Sequence, residues 1–220
     1  MTITFTHWLL PLCLGAVLSA QQTGDPAPQD KPAAKPAPQP AAAHFEVGKP
    51  VDAALELKDL DGNTKTLKDY QGKVLAIAFW SIKCPALVAA EPKLIKMTKA
   101  WAGKDVVVLG INANQDELGT APEKPGKDVG YEKIREHISD KGVPFGIALD
   151  HGNTISARFQ AKTTPHCFVI DQKGVLRYSG ALDDDQRDVK GKDAKNYVQA
   201  AVDALLAGQE VKESTTKPYG

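Results

Sequence analysis

The sequence predicts an α/β domain with a central mixed β-sheet flanked by helices. Two continuous apolar runs, 74–80 and 106–111, are typical of strands that are covered on both faces. The residues between them carry apolar side chains at helical spacing, and a strand, a helix and a strand in this order form a parallel pair. The segment 166–178 has the pattern of a hairpin, which adds antiparallel pairing and makes the sheet mixed.

The first 20 residues are predicted to be a signal peptide. An apolar stretch at 8–18 ends in Leu18-Ser19-Ala20 and is too short for an ordinary membrane span. No Lys or Arg precedes this stretch, which leaves an uncleaved membrane anchor as the alternative. We therefore expect an exported chain that is periplasmic or secreted, or is tethered to a membrane through its N-terminus.

A linker, one domain and a tail are expected after the signal. Residues 21–44 are rich in Pro and Ala, which favours an extended, disordered linker. The folded domain is expected at 45–211, and 212–220 is expected to be a flexible tail. Lys and Arg together number 27, as do Asp and Glu, so the balanced charge gives no support for nucleic-acid binding.

The first elements of the domain are an N-terminal hairpin and a βαβ unit. Segments 54–57 and 64–67 alternate apolar and polar residues around the turn signal Asp61-Gly62-Asn63, which predicts a β-hairpin extension. The strand at 74–80 is followed by a helix at 87–102.

The remaining elements alternate between helices and strands. A polar loop at 112–129 precedes a helix at 131–141, a strand at 145–149 and a short helix at 155–159. The hairpin turns at Asp171-Gln172-Lys173-Gly174, and a final amphipathic helix covers 194–206.

Cys84 is the strongest candidate for a reactive residue. It lies between the strand at 74–80 and the following helix, directly before Pro85. The first turn of a helix carries unpaired N–H groups and a partial positive charge, which stabilise a thiolate, and the neighbouring Lys83 acts in the same direction. This position therefore predicts thiol chemistry.

The residues around Cys84 resemble a known active site. Phe79-Trp80, three further residues, Cys84-Pro85 and then Pro92 in the helix are similar to the active-site segment of thioredoxin-like proteins. Thr164-Pro165 at the start of a strand resembles their cis-proline loop. The closest similarity is to the redoxin branch, the alkyl hydroperoxide reductase/thiol-specific antioxidant (AhpC/TSA) family and its peroxiredoxin-like relatives, and it covers about 45–211.

This resemblance implies a thioredoxin-like fold and thiol redox chemistry at one site. The cis-proline loop would present backbone groups to a bound peptide or disulfide. The implied site comprises the nucleophile Cys84, the supporting residues Trp80, Ser81, Lys83 and Pro85, and the groove residues Thr164, Pro165 and His166.

The chain also departs from both family signatures. Leu87 stands where dithiol oxidoreductases carry the resolving cysteine of the CxxC motif, and Ala78 stands where thioredoxin has a buried acid. Ser81 matches the hydroxyl position of the peroxiredoxin motif, but Ile77 replaces its proline. The substrate is therefore left open between a disulfide and a peroxide.

Other chemistry-bearing residues have structural interpretations. Cys167 is expected to pack in a core strand, with a resolving role as the alternative. His166 either lines the groove or lies on the other face of its strand, and Glu91 and the run 183–185 are expected to be solvated. Metal ligation by Cys84 and His166 is an alternative, but the paired-cysteine motif of copper-handling relatives is missing, so we expect no metal and no cofactor.

Two functional hypotheses remain. The first is a single-cysteine enzyme, a thiol-disulfide oxidoreductase or peroxiredoxin-like antioxidant, in which Cys84 attacks a disulfide-containing protein or a peroxide. Leu87 cannot resolve the product, so an external thiol reductant would be its partner. The second is a catalytically weak binding module that holds a partner in the cis-proline groove.

Overall fold

The structure, a computed structural model, describes residues 43–124, 126–127 and 129–220. The predicted signal peptide at 1–20 and the linker up to residue 42 lie outside these residues. None of the helices within the described ranges combines the length and the apolar character that a membrane span requires. Phe45 is the first buried side chain in these ranges.

In the part of the chain that the structure describes, seven strands form a single sheet. They are β1 (Glu56–Asp59), β2 (Thr64–Thr66), β3 (Val74–Phe79), β4 (Val106–Asn112), β5 (Gly146–Leu149), β6 (Cys167–Ile170) and β7 (Leu176–Gly180). Their order across the sheet is β2-β1-β5-β4-β3-β6-β7. β3 runs parallel to β4 and β4 to β5, whereas the other neighbours are antiparallel. The mixed sheet and the N-terminal hairpin of β1 and β2 agree with the prediction.

Five α-helices within the described ranges connect or follow the strands. They are α1 (Pro85–Ala100), α2 (Gln115–Leu118), α3 (Glu132–Lys141), α4 (Thr154–Phe159) and α5 (Tyr197–Leu206). Short 3₁₀ turns lie at Leu67–Tyr70 and Gly191–Asp193. α2 lies inside the segment 112–129, which the sequence predicts to be a loop.

The sheet separates two apolar clusters because successive side chains of β3 point to opposite faces. Ala76 and Ala78 belong to the cluster that packs with α1, α3 and α5. Ile77 and Phe79 belong to the cluster that packs with α4 and the segment that precedes β1. Since β3 is buried along its whole length, the residues that follow it are held against a rigid support.

The structure differs from the predicted free tail at 212–220. Residues 214–220, which we call the strap, begin along the outer edge of β7, where 214–216 pair with Ser179. The Ser179 amide donates to the Ser214 carbonyl at 3.0 Å, and the Thr216 amide donates to the Ser179 carbonyl at 3.2 Å. The strap is polar, so the sequence gives no apolar signal for this packing, which depends on backbone pairing with an open sheet edge.

Candidate functional site

Cys84 lies at the start of α1, beyond the carboxyl end of β3. The Cys84 amide donates to the Ser81 carbonyl at 3.1 Å, and the Leu87 amide donates to the Cys84 carbonyl at 3.0 Å. Pro85 occupies the first turn of α1, where a missing N–H has no cost. The Cys84 side chain is only partly buried, and partial exposure is a requirement for a thiol to react.

The cis-proline loop lies directly beside this thiol. The Thr164–Pro165 peptide bond is cis, as the sequence predicts. The Cys84 Sγ donates to the Thr164 carbonyl at 2.8 Å, across 80 residues of sequence. The fold therefore brings together the two motifs that carry the resemblance.

Trp80, which ends the apolar run before the Cys84 loop, is fully buried and depends on Glu91 for a hydrogen bond. Its Nε1 donates to Glu91 Oε1 at 2.8 Å, and His137 Nε2 lies 2.9 Å from Glu91 Oε2. The expectation of a solvated Glu91 is wrong, because this side chain is only 5% exposed. A buried indole N–H needs an acceptor, and Glu91 supplies it from the second turn of α1.

Glu117 of α2 holds the loop that precedes Cys84. Its carboxylate accepts from the Ser81 hydroxyl, from the Ile82 amide at 3.1 Å and from the Lys83 amide at 2.7 Å. Asn112 Nδ2 also donates to this carboxylate, at 2.6 Å. Glu117 therefore joins two loops at the site.

The sequence analysis did not identify Glu117. A signal was nevertheless present, since Asn114 is the N-cap of α2 and Glu117 follows it by three residues, which is the spacing of a capping box. In the structure the Glu117 carboxylate turns to the Ser81 loop.

Lys83 is exposed, and its side chain binds a backbone carbonyl of α2. Its Nζ donates to the Asp116 carbonyl at 3.2 Å. The structure thus gives Lys83 a role in tying the loop to α2.

Cys167 is buried in β6, opposite Ala78 in the sheet register. It is 1% exposed, and burial raises the pKa of its thiol well above the ordinary value. Leu87 packs in the same apolar cluster. These surroundings support the packing interpretation of Cys167, and within the described residues Cys84 and Cys167 are both free thiols.

His166 does not line an open groove. Its ring packs on Phe168, with 4.3 Å between ring centroids. Its Nδ1 accepts from the Lys162 amide at 3.2 Å, and Nε2 lies 3.2 Å from Ser179 Oγ. Burial, and secondarily the Lys162 charge, lowers the pKa of His166 to about 4, so the ring is neutral at pH 7. The groove assignment for this residue is therefore corrected to a structural one.

The acidic run at 183–185 is not solvated as expected. Asp183 and Asp185 are 1% and 2% exposed. Lys93 Nζ lies 2.9 Å from Asp183 Oδ2 and donates to the Asp185 carbonyl at 2.9 Å. Tyr219 of the strap donates to Asp183 Oδ1 at 2.5 Å. Asp183 and Asp185 tolerate burial because the Lys93 charge lies beside both carboxylates and Tyr219 donates a hydrogen bond to Asp183, whereas Asp184 is only partly buried.

A groove of about 520 Å³ opens between the loop that precedes Cys84 and the cis-proline loop. Its lining includes Trp80, Ser81, Asn114, Gln160, Thr163 and Thr164. Thr164 also contacts the Cys84 thiol, so the groove leads to the site. Among the described residues, no group of three or more His, Cys, Asp and Glu side chains is placed to hold a metal ion.

Sequence comparison finds a match to one protein family and to curated relatives. The AhpC/TSA family profile matches residues 47–179. The chain is 23% identical to the thiol-disulfide oxidoreductase ResA of Halalkalibacterium halodurans over 120 residues, 54% of this chain and 60% of that protein. It is 28% identical to the thioredoxin-like protein YneN of Bacillus subtilis over 121 residues, 55% of this chain and 64% of that protein. Each match spans less than two-thirds of the relative.

Structural comparison extends over a larger part of the chain. The crystal structure of a hypothetical protein from Sinorhizobium meliloti 1021 matches with a TM-score of 0.64 at 28% identity. The match covers 81% of this chain and 96% of that chain. The fold is thus a known one.

Proposed function

Because the chain belongs to the AhpC/TSA family and holds a partly buried thiol beside a cis-proline loop, we propose that it is a thiol-disulfide oxidoreductase that uses Cys84 alone. The observation that carries the proposal is the 2.8 Å contact between Cys84 Sγ and the Thr164 carbonyl. A substrate that pairs with the backbone of Thr164 lies within reach of this sulfur. The names of the relatives ResA and YneN agree with this chemistry.

The reaction has two exchange steps. Cys84 first loses its proton, which breaks the hydrogen bond between its Sγ and the Thr164 carbonyl. The thiolate sulfur then attacks one sulfur of the substrate disulfide. A Cys84–substrate disulfide forms, and the second substrate sulfur leaves as a thiolate. An external thiolate then attacks the mixed disulfide, so that Cys84 is released and the substrate sulfur is joined to the external thiol.

A disulfide is a better-supported substrate than a peroxide. Ser81, the match to the peroxiredoxin hydroxyl, donates to Glu117 and accepts from Asn114 Nδ2 at 3.1 Å. Because the O–H group already donates to a carboxylate, it is not available to donate a hydrogen bond that would orient a peroxide. The loop at Thr164–Pro165, in contrast, offers backbone groups next to Cys84.

The proposal includes export and an external reductant. The apolar stretch at 8–18 and the Pro/Ala-rich segment after it favour an exported or membrane-tethered chain. Structural disulfides form in such compartments, which supplies the substrate class. A thioredoxin-like protein or a small thiol would serve as the reductant.

A matched pair of cysteine variants tests this function. We expect Cys84→Ser to abolish reduction of a disulfide-bearing peptide in the presence of glutathione, since it removes the attacking sulfur. Cys167→Ala should retain at least about half of the parent's turnover, because Cys167 is buried in β6 and its thiol stays protonated.

The readout is the rate of free-thiol release from the peptide, with circular dichroism as the folding control. Equal turnover by Cys84→Ser and the parent would reject the enzyme. A stable Cys84–peptide adduct that glutathione does not release would instead identify a binding module.

A further inference from the structure

The strap reaches the cis-proline loop after it leaves the edge of β7. Thr216 accepts from the Ala181 amide at 2.9 Å, and its hydroxyl lies 2.6 Å from the Tyr178 hydroxyl. The strap approaches Gly180 so closely that a Cβ atom there would lie 2.7 Å from the Thr216 carbonyl oxygen. The first part of the strap is therefore seated on residues that leave room for it.

The second part of the strap is anchored by Tyr219. The Tyr219 hydroxyl donates to Asp183 Oδ1 at 2.5 Å, and the Tyr219 carbonyl accepts from Thr163 Oγ1 at 3.2 Å. Lys93 lies 2.9 Å from the same Asp183 carboxylate and fixes it from α1. These two hydrogen bonds set the strap beside the residue that precedes Thr164.

The last residue of the strap packs on the backbone that contacts the reactive thiol. A Cβ atom added to Gly220 would lie 2.5 Å from the Thr164 carbonyl oxygen and 2.8 Å from the Thr164 nitrogen. Cys84 Sγ donates to this same carbonyl oxygen at 2.8 Å. The thiol and an extended segment of backbone thus meet at one peptide group.

We propose that the strap occupies the substrate's place beside the cis-proline loop, so that an extended, disulfide-bearing polypeptide must displace it to reach Cys84. This inference rests on the proposed disulfide exchange. The strap is held by hydrogen bonds rather than by a large apolar surface, so a polypeptide that offers its own backbone can replace these contacts. A small disulfide such as oxidised glutathione is too short to replace the contacts of the whole strap and would react slowly.

Three variants release the strap and one serves as a control. Deletion of 214–220 removes it, Tyr219→Phe removes the hydrogen bond to Asp183, and Gly220→Ala forces its last residue away from Thr164. Lys217→Ala changes an exposed strap residue and is the matched control. The point variants leave the pairing with β7 in place, so they keep the test valid if the deletion weakens the fold.

Two rates are measured in the full-length reduced protein. The first is alkylation of Cys84 by iodoacetamide, followed by the mass of the Cys84 peptide. The second is mixed-disulfide formation with an unstructured peptide that carries a disulfide. We expect each releasing variant to raise both rates by about fivefold or more, the effect of losing one net hydrogen bond, while Lys217→Ala matches the parent. A synthetic peptide with the sequence of 214–220 should slow both rates in the deletion variant.

Equal rates in the parent, the control and all three releasing variants would overturn the inference. If the parent reacts with the disulfide peptide at the same rate as the releasing variants, only the inference fails and the proposed function stands. If alkylation depends on the strap but no mixed disulfide forms, the strap's position is supported and the proposed function fails.

Discussion

At the scale of single residues, the proposed mechanism depends on Leu87, which stands three residues after Cys84, where a second thiol could resolve the product. Leu87 is 2% exposed and packs with the apolar cluster beneath α1. It therefore contributes to stability, and Leu87→Ala should lower the free energy of unfolding by about 2–5 kcal/mol. In the proposed mechanism, the same residue that completes the core leaves Cys84 to exchange with an external thiol.

His166 gives a residue-scale prediction about pH. Its pKa falls from 6.5 to about 4 on folding, chiefly because the neutral ring is buried. Between these values the unfolded chain binds a proton that the folded chain does not, so stability should fall as pH falls. The loss should approach about 3 kcal/mol at pH 4, at about 1.4 kcal/mol per pH unit.

Urea unfolding of the parent and of His166→Gln at pH 7, 5.5 and 4.5 measures this effect. The variant has no imidazole to protonate, so its free energy of unfolding should decline less over this range. Parallel pH profiles for the two proteins would contradict the assignment.

At the scale of elements, one turn of helix organises the loop that carries the thiol. α2 contributes Glu117, whose carboxylate gathers the Ser81 hydroxyl and the Ile82 and Lys83 amides. These donors would otherwise have to be satisfied by water. The loop before α1 is thus fixed by an element that lies beyond β4 in the sequence.

Glu117→Gln should loosen this loop. An amide offers one acceptor oxygen and places an NH₂ group against donors, so we expect a loss of about 2–3 kcal/mol in unfolding free energy. Alkylation of Cys84 should change as well, because the loop no longer fixes the sulfur beside Thr164.

Asp116→Asn is the matched control, since Asp116 is exposed and bonds Lys83 through its backbone carbonyl. Thermal unfolding and alkylation rates of both variants provide the comparison. If Glu117→Gln behaves like Asp116→Asn, the carboxylate does not organise the loop.

The elements also show what the sequence could predict. β3, α1 and β4 were predictable because the spacing of apolar residues within each segment indicates which of its side chains are buried. The position of Cys84 before α1 and the cis bond at Pro165 followed from motifs.

Buried charge was not predictable in this way. Glu91 is buried by its pairing with Trp80 and His137, and Asp183 by its pairing with Lys93. Such partners come from segments that are distant in sequence, so the residues next to each carboxylate do not indicate that it is paired. The strap was missed for the same reason, because its contacts are polar and reach β7 and Thr163.

At the scale of the whole molecule, the sheet order creates the site. β6 lies next to β3, so the loop that precedes β6 arrives beside the residue that follows β3. Cys84 and Thr164 therefore lie in contact next to the ends of two neighbouring strands. The strap pairs with β7 at the sheet edge and continues to the same loop. Thiol, backbone acceptor and strap converge through topology.

The single-cysteine mechanism is tested by the lifetime of the Cys84–peptide mixed disulfide in the parent and in Leu87→Cys. Leu87 is one helical turn after Cys84, so a thiol there should share its face. After a reduced protein is mixed with a disulfide peptide and quenched by acid, mass spectrometry follows the adduct without added thiol.

We predict that the parent keeps the adduct on Cys84 until glutathione is added, whereas Leu87→Cys releases the peptide and forms a disulfide between Cys84 and the introduced thiol. Release of the peptide by the parent without an external thiol, or an adduct on Cys167, would contradict the mechanism.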